Sequence, residues 1–194
     1  MKLIFGSSNK NKVTEIQKVL PDGIVIQTIG DLGYTEDIPE TADTIEGNAI
    51  LKAQFVHDKW NENCFADDSG LIIEALNGEP GVYSARYAGK QRSDEDNINK
   101  VLHKLGVEEN RKANFVTVIA LYWKNKLITF QGEIKGTINY SPKGNNGFGY
   151  DPIFVPENYE QTFAEMSLED KSLLSHRAAA ISKMVNYIQT HLGE

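Results

Sequence analysis

The chain has 194 residues, 40% of them hydrophobic, with 27 acidic and 20 basic side chains and a formal net charge of −7. That length suits a single domain, with a core large enough to bury roughly 70% of the unfolded chain's surface. The acidic balance argues against a nucleic-acid-coating surface, no stretch approaches the about 18 consecutive apolar residues of a membrane span, and the lone cysteine, Cys64, excludes an internal disulfide framework.

Residues 1–5 are too short an apolar stretch for a signal peptide, and residues 2–6 read as a strand. Val13, Ile16, Val19 and Leu20 then recur at a helical period. Between strand and helix lies Ser7-Ser8-Asn9-Lys10-Asn11-Lys12. A polar turn feeding a helix aims backbone N–H groups at an anion, and the helix dipole assists. Lys12 adds a point charge in the first turn. The glycine spacing of a Walker A loop is absent, and Ser and Asn also serve simply as helix caps, so both readings stay open.

Residues 24–29 read as a second strand, followed by an acidic stretch with Glu36, Asp37, Glu40 and Asp43, most of it solvated loop. Asp43-Thr44-Ile45-Glu46 has the form of a capping box with Asp43 as the cap. The helix beyond it presents Ile45, Ala49, Ala53, Val56 and Trp60 on one face. Lys52 falls one position off that stripe, either on the surface or leaning toward a ligand.

Two short apolar strands, residues 64–66 and 71–76, flank Asp67-Asp68-Ser69-Gly70, which reads as a turn. Adjacent carboxylates at a strand end suit a magnesium ion carrying a phosphate ester. So close a pair is expected to titrate together. Cys64 reads as a small buried hydrophobe. After the turn cluster Asn77-Gly78-Glu79-Pro80-Gly81, Ser93 caps a helix whose apolar face is Ile98, Val101, Leu102 and Leu105. Residues 115–123 and 127–134, split by Lys124-Asn125-Lys126, form a β-hairpin that residues 137–140 extend.

Gly144, Gly147 and Gly149 then surround Phe148, with Tyr150, Asp151 and Pro152 next. Glycine permits close approach of backbone to ligand, and an aromatic ring between glycines can stack on a base. A core Phe in a flexible loop fits the same residues. Ser167 caps a short helix containing Lys171, and Ser175-His176-Arg177 opens the last helix, whose stripe is Ile181, Met184, Val185, Ile188 and Leu192. Two cations at a helix start oppose the dipole unless something anionic or carbonyl-rich is nearby.

Alternating strands and helices followed by a hairpin indicate an α/β fold with a mixed sheet. Lys12, Lys52, Lys171 and Arg177, with Glu40, Asp67 and Asp68, are expected to converge where loops leave strand ends. Such a set suits a triphosphate and a metal ion. No His/Cys cluster has zinc spacing, and Gly-x-Ser-x-Gly is absent.

Six blocks in this order resemble the inosine triphosphate pyrophosphatase family, over nearly the whole chain. They are Ser8-Asn9-x-x-Lys12; Glu40-Thr41 with Asn48-Ala49-x-x-Lys52-Ala53; Ala66-Asp67-Asp68-Ser69-Gly70-Leu71; Pro80 to Tyr87; Gly147 to Pro152; and Ser175-His176-Arg177. The resemblance implies an α/β fold built on an elongated mixed β-sheet, with helices forming two lobes around a central substrate cleft in one domain spanning residues 1–194. It implies hydrolysis of ITP, dITP and XTP to monophosphate and pyrophosphate, by water attack at the α-phosphorus with Mg2+ as cofactor. Asp68 would be the catalytic base and a metal ligand, with Glu40 the second ligand. Ser7, Ser8, Asn9, Lys10, Asn11, Lys12, Lys52 and Ser69 would bind the substrate. Phe148, Gly149, Tyr150 and Asp151 would form the base pocket, with Phe148 stacking, and Lys171, His176 and Arg177 would complete recognition. A cytoplasmic homodimer, binding neither nucleic acid nor membrane, is expected.

Three positions depart from the family pattern. Ser8 stands where Gly is usual, so the chain turns there without positive φ or under strain. Gly47 replaces a Glu, which leaves more of the metal to Glu40 and Asp68. Asn145-Asn146 replace small residues, and Asn tolerates the left-handed region. Two other readings stay open: a pyrophosphatase preferring pyrimidine or modified bases, and a nucleotide sensor without turnover.

Overall fold

A computed structural model describes residues 1–192 of the chain; Gly193 and Glu194, the last two positions of the expected domain, lie outside the described residues. The strands are β1 (Lys2–Phe5), β2 (Val25–Thr28), β3 (Cys64–Ile73), β4 (Lys112–Trp123), β5 (Lys126–Ile138) and β6 (Phe154–Pro156). The helices are α1 (Lys10–Val19), α2 (Ile45–Trp60), α3 (Asp94–Leu105), α4 (Leu168–Leu174) and α5 (His176–Thr190). The strands form one mixed sheet in the order β2-β1-β3-β4-β5-β6. β1 runs parallel to both β2 and β3, while β5 and β6 are antiparallel. No helix among the described residues is long and apolar enough to cross a membrane.

The chain divides into two compact units. The first comprises residues 1–68, 117–132 and 177 onward; the second comprises Ser69–Val116 and Glu133–His176. The first has its own core of Leu3, Phe5, Ile16, Phe65, Ile119, Leu121 and the α5 stripe Ile181, Met184 and Ile188. Phe5 stacks on Phe65 with ring centroids 4.8 Å apart. The second unit packs Ile98, Val101 and Leu105 of α3 with Phe115, Phe154 and Phe163.

Several sequence expectations change. The Asp67-Asp68-Ser69-Gly70 stretch is no turn, because β3 runs unbroken from Cys64 to Ile73 and is buried along almost its whole length. Ser-Gly favours turns locally, but pairing and burial on both faces of a central strand outweigh that preference. Residues 74–76, read as strand, form a 3-10 turn. The cap of α2 is Thr44, whose Oγ1 accepts from the Gly47 N–H at 3.0 Å, rather than Asp43. Leu192, read into the α5 stripe, lies beyond the helix and is 56% exposed. The hairpin turn needs left-handed backbone at both central positions, and Lys124 and Asn125 supply it at φ 49° and 63°.

In the second unit, Arg111 is buried without an acidic hydrogen-bond partner among the described residues. Its guanidinium donates to the carbonyls of Ile138 (2.6 Å), Asn139 (3.1 Å), Glu108 (3.4 Å) and Gly106 (3.5 Å). One side chain thereby holds the end of β5 and the loop after α3 to the start of β4.

Candidate active site

The first unit gathers three cations on four carboxylates. On β3, Asp67 and Asp68 are adjacent, and successive strand residues face opposite sides of the sheet. Lys12, in the first turn of α1, donates to Asp67 Oδ1 at 2.8 Å. Arg177, in the first turn of α5, donates through Nε to Asp67 Oδ2 at 3.2 Å and through Nη1 to Glu15 of α1. Lys52 of α2 donates to Asp68 Oδ1 at 2.9 Å and to Glu40 Oε1 at 2.7 Å. Burial of this lysine, expected to be surface or leaning to a ligand, follows from its two carboxylate partners.

The neighbours separate the two aspartates. Burial opposes ionisation of Asp67, but the charges of Lys12, Arg177 and Lys52 overcome it and hold its carboxyl far below the usual carboxylate range. Burial also dominates at Asp68, where Lys52 and Lys12 only partly offset it and Glu40 adds repulsion, so its carboxyl titrates above the ordinary value. The two carboxyls are thus driven apart, Asp67 toward the charged form and Asp68 toward a more basic one. Asp68 Oδ2 is buried and has no hydrogen-bond partner among the described residues.

The loop before α1 is a cap as well as a candidate anion site. Asn9 Oδ1 accepts from the N–H groups of Asn11 (3.0 Å) and Lys12 (3.3 Å), and Ser7 Oγ accepts from the Asn9 N–H. Ser8, Lys10 and Asn11 are exposed at its surface. Ser8 turns the chain without positive φ, so its replacement of Gly brings no strain. Helix α2 contributes no carboxylate to the site. Glu46 accepts from Thr129 Oγ1 at 2.9 Å. A Cβ at Gly47 would stand 2.7 Å from the Ala42 Cβ, so the larger residue usual there has no room as the chain is packed here.

The second unit holds Ser69, the base-loop residues, Lys171 and His176. Ser69 is half-buried on β3. Lys171 of α4 donates to Asp151 Oδ2 at 2.5 Å, and its ammonium lies 4.9 Å from the Phe148 ring centroid and 5.4 Å from that of Phe163. Asp151 also accepts from the Phe148 N–H at 2.8 Å. Gly147 has φ 77°, and a Cβ there would fall 2.1 Å from Asp151 Oδ2, so only glycine lets the loop close over that carboxylate. The left-handed positions are Gly144, Gly147 and Gly149, not Asn145 or Asn146. The Asn146 side chain instead donates to the Met166 carbonyl at 3.0 Å. Tyr150 is buried, its hydroxyl donating to the Ser84 carbonyl at 2.8 Å. Phe148 and Gly149 are half-buried. His176 is buried and stacks on Phe115 with centroids 4.7 Å apart and planes 7° from parallel.

Three residues with no assigned role in the sequence reading belong to these clusters. Glu15 lies three positions after Lys12, a spacing that places both on one side of α1. Asn48 lies one helical turn before Lys52. Asp94, at the start of α3, accepts from the Gly149 N–H at 2.7 Å, a bond between residues 55 positions apart that no local pattern announces.

The Ham1 family model matches residues 3–187. A protein of Flavobacterium johnsoniae named dITP/XTP pyrophosphatase is 54% identical over 188 residues, 97% of this chain and 98% of that protein. A Bacillus subtilis protein of the same name is 43% identical over 190 residues, with 96% of each chain covered. The solved Staphylococcus aureus Ham1 protein superposes with a TM-score of 0.88 at 41% identity, covering 98% of this chain and 99% of that one.

Proposed function

The chain belongs to the Ham1 family, and from that membership we propose that it hydrolyses the non-standard purine nucleotides ITP, dITP and XTP to the monophosphate and pyrophosphate. The observation that carries the chemistry is Asp68: a buried carboxylate, more basic than usual, with one oxygen held by Lys52 and the other without a hydrogen-bond partner among the described residues. That oxygen accepts the proton of a water attacking the α-phosphorus. The new P–O bond forms as the bond to the bridging oxygen between the α- and β-phosphorus breaks, and the electron pair leaves with pyrophosphate. The exposed donors of the loop before α1, with Lys12 in the first turn of that helix, meet the phosphates. Lys52 and Lys12 offset charge that develops during the transfer.

Among the described residues no group of three or more His, Cys, Asp or Glu side chains is arranged as a metal site. Magnesium in phosphoryl-transfer sites needs only one or two carboxylates beside phosphate and water. Glu40 and Asp68, both held on the Lys52 ammonium, and the unpartnered Asp68 Oδ2 fit that requirement. When bound, the ion neutralises phosphate charge and polarises the α-phosphoryl oxygens. We assign magnesium to Glu40 and Asp68, and a cytoplasmic homodimer acting on the nucleotide pool to the whole chain.

Base selection belongs to the loop around Phe148 in this reading. The 6-oxo group of hypoxanthine or xanthine needs a donor where adenine brings one of its own. The N–H groups of Phe148 and Gly149 are engaged by Asp151 and Asp94, so selection rests on side-chain donors such as Lys171. A donor facing a donor disfavours ATP by on the order of 10⁴-fold. Pyrophosphate release with Mg2+ from ITP, dITP, XTP, dUTP, GTP and ATP tests this: the first three lead, and equal rates on all six would end the selectivity claim. Nucleotide binding without release would favour the sensor reading. Phe148→Ala is expected to raise KM by about 10-fold, the loss of one base–aromatic stack, with kcat little changed. An unchanged KM would return Phe148 to the core.

A further inference from the structure

Glu40 lies outside any strand or helix, in the segment before α2. A ligand on such a segment needs something to fix it. Lys52 Nζ grips its carboxylate at 2.7 Å. One turn earlier on α2, the Asn48 Oδ1 accepts from the Ala42 N–H at 2.9 Å. Residues four apart share a helix face. The same face of α2 therefore holds the segment twice, by a side chain at Glu40 and by the backbone two residues on.

Gly47 makes the second grip possible. Its missing Cβ lets Ala42 come against the first turn of α2, where a methyl would meet it at 2.7 Å. Asn48 is fully buried, and its Nδ2 has no acceptor among the described residues. A buried amide donor rarely stays unsatisfied. The unpartnered Asp68 Oδ2 belongs to the carboxylate on the other side of Lys52. One donor and one acceptor, on residues that share the Lys52 neighbourhood, suit the oxygen-rich shell of a hydrated metal–phosphate group.

We propose that Asn48 is a positioning residue for the metal–nucleotide complex, docking the Glu40 segment onto α2 and offering its Nδ2–H to a water or phosphate oxygen beside the cation. The proposal rests on the assignment of Glu40 and Asp68 to the metal. A purely architectural Asn48 would lower stability without distinguishing metal-bound from metal-free nucleotide, so the two roles separate in binding.

The test is calorimetric titration with α,β-methylene-ITP, which resists cleavage at the scissile bridge, in Mg2+ and in EDTA. Wild type binds more tightly with Mg2+. Asn48→Leu is expected to weaken that Mg2+ enhancement by about 10-fold or more, as loss of an outer-shell partner does, while binding in EDTA is retained. Glu40→Gln is expected to show the same pattern, and the double variant to add little to either single one. Should the Leu variant not fold, Asn48→Ser carries the same readout, since its hydroxyl is too short to span to the Ala42 N–H. An undiminished enhancement in the Asn48 variant beside a lost one in Glu40→Gln would overturn the proposal alone. So would equal losses in Mg2+ and EDTA. Undiminished enhancement in Glu40→Gln, or none in wild type, would overturn the metal assignment and this proposal with it.

Discussion

Asp68→Asn is expected to lower kcat by about 10²-fold or more, the usual loss when a general base or a charged metal ligand goes. The substitution keeps shape, and the Asn oxygen can still accept from Lys52, so the loss reports basicity and charge rather than packing. Asp68 is an acid whose folded pKa is raised, chiefly by burial. Its ionised form is therefore disfavoured by folding, and its contribution to stability declines as pH rises through the folded value. The amide escapes that penalty, but it leaves the buried Lys52 with Glu40 as its one charged partner of the two, so Asp68→Asn should lower the melting temperature less than Asp67→Asn does. The same sign governs turnover: activity falls as pH drops through the raised pKa, above the ordinary carboxylate range. Steady-state kinetics and thermal melts of one preparation check both parts. Activity within a few-fold of wild type would remove Asp68 from the chemistry.

The neighbouring residue has the larger expected effect on stability. Asp67→Asn should destabilise the fold by about 3–5 kcal/mol, the range for removing one partner of a buried ion pair. Lys12 and Arg177 both donate to Asp67, which is 1% exposed. Loss of its charge leaves Lys12 without the carboxylate it meets and Arg177 with Glu15. Asp67 has a depressed folded pKa because the surrounding cations overcome the penalty of burial. Its stabilisation is thus complete above the unfolded value near about 4 and is lost as pH falls toward the folded one. Urea denaturation at about pH 7 and about pH 3 should show wild type losing more stability on acidification than Asp67→Asn does. Equal acid sensitivity would mean that Asp67 does not supply this term. Two adjacent carboxylates thereby divide the work, one holding the cations in place and the other meeting water.

This division could not be read from the dipeptide. Apolar runs on both sides of Asp67-Asp68 mark the place, Lys12 stands out as a cation near a helix start, and Lys52 as one beside an apolar stripe. Which lysine meets which aspartate depends on the faces of β3, and those were hidden by reading Ser69-Gly70 as a turn. Once β3 is continuous, alternation sends Asp67 toward α1 and α5 and leaves Asp68 to α2. The hairpin was legible because its turn chemistry is local. The hold of Asp94 on Gly149, like that of Arg177 on Glu15, depends on which distant elements the fold brings together. The glycines of the base loop point to close approach by a ligand, and Gly147 has a second reason that only the fold reveals, room for the protein's own carboxylate, Asp151.

Arg111 gives the chain something its single cysteine cannot. With no second thiol to bridge, the second unit is cross-linked by a cation whose donors reach four carbonyls on either side of β4. Such a link is indifferent to reducing agents. A guanidinium also stays charged at any pH the protein meets, so neither redox state nor acidity loosens it. The link persists where a disulfide would be reduced and where an ion pair through a carboxylate would be protonated away.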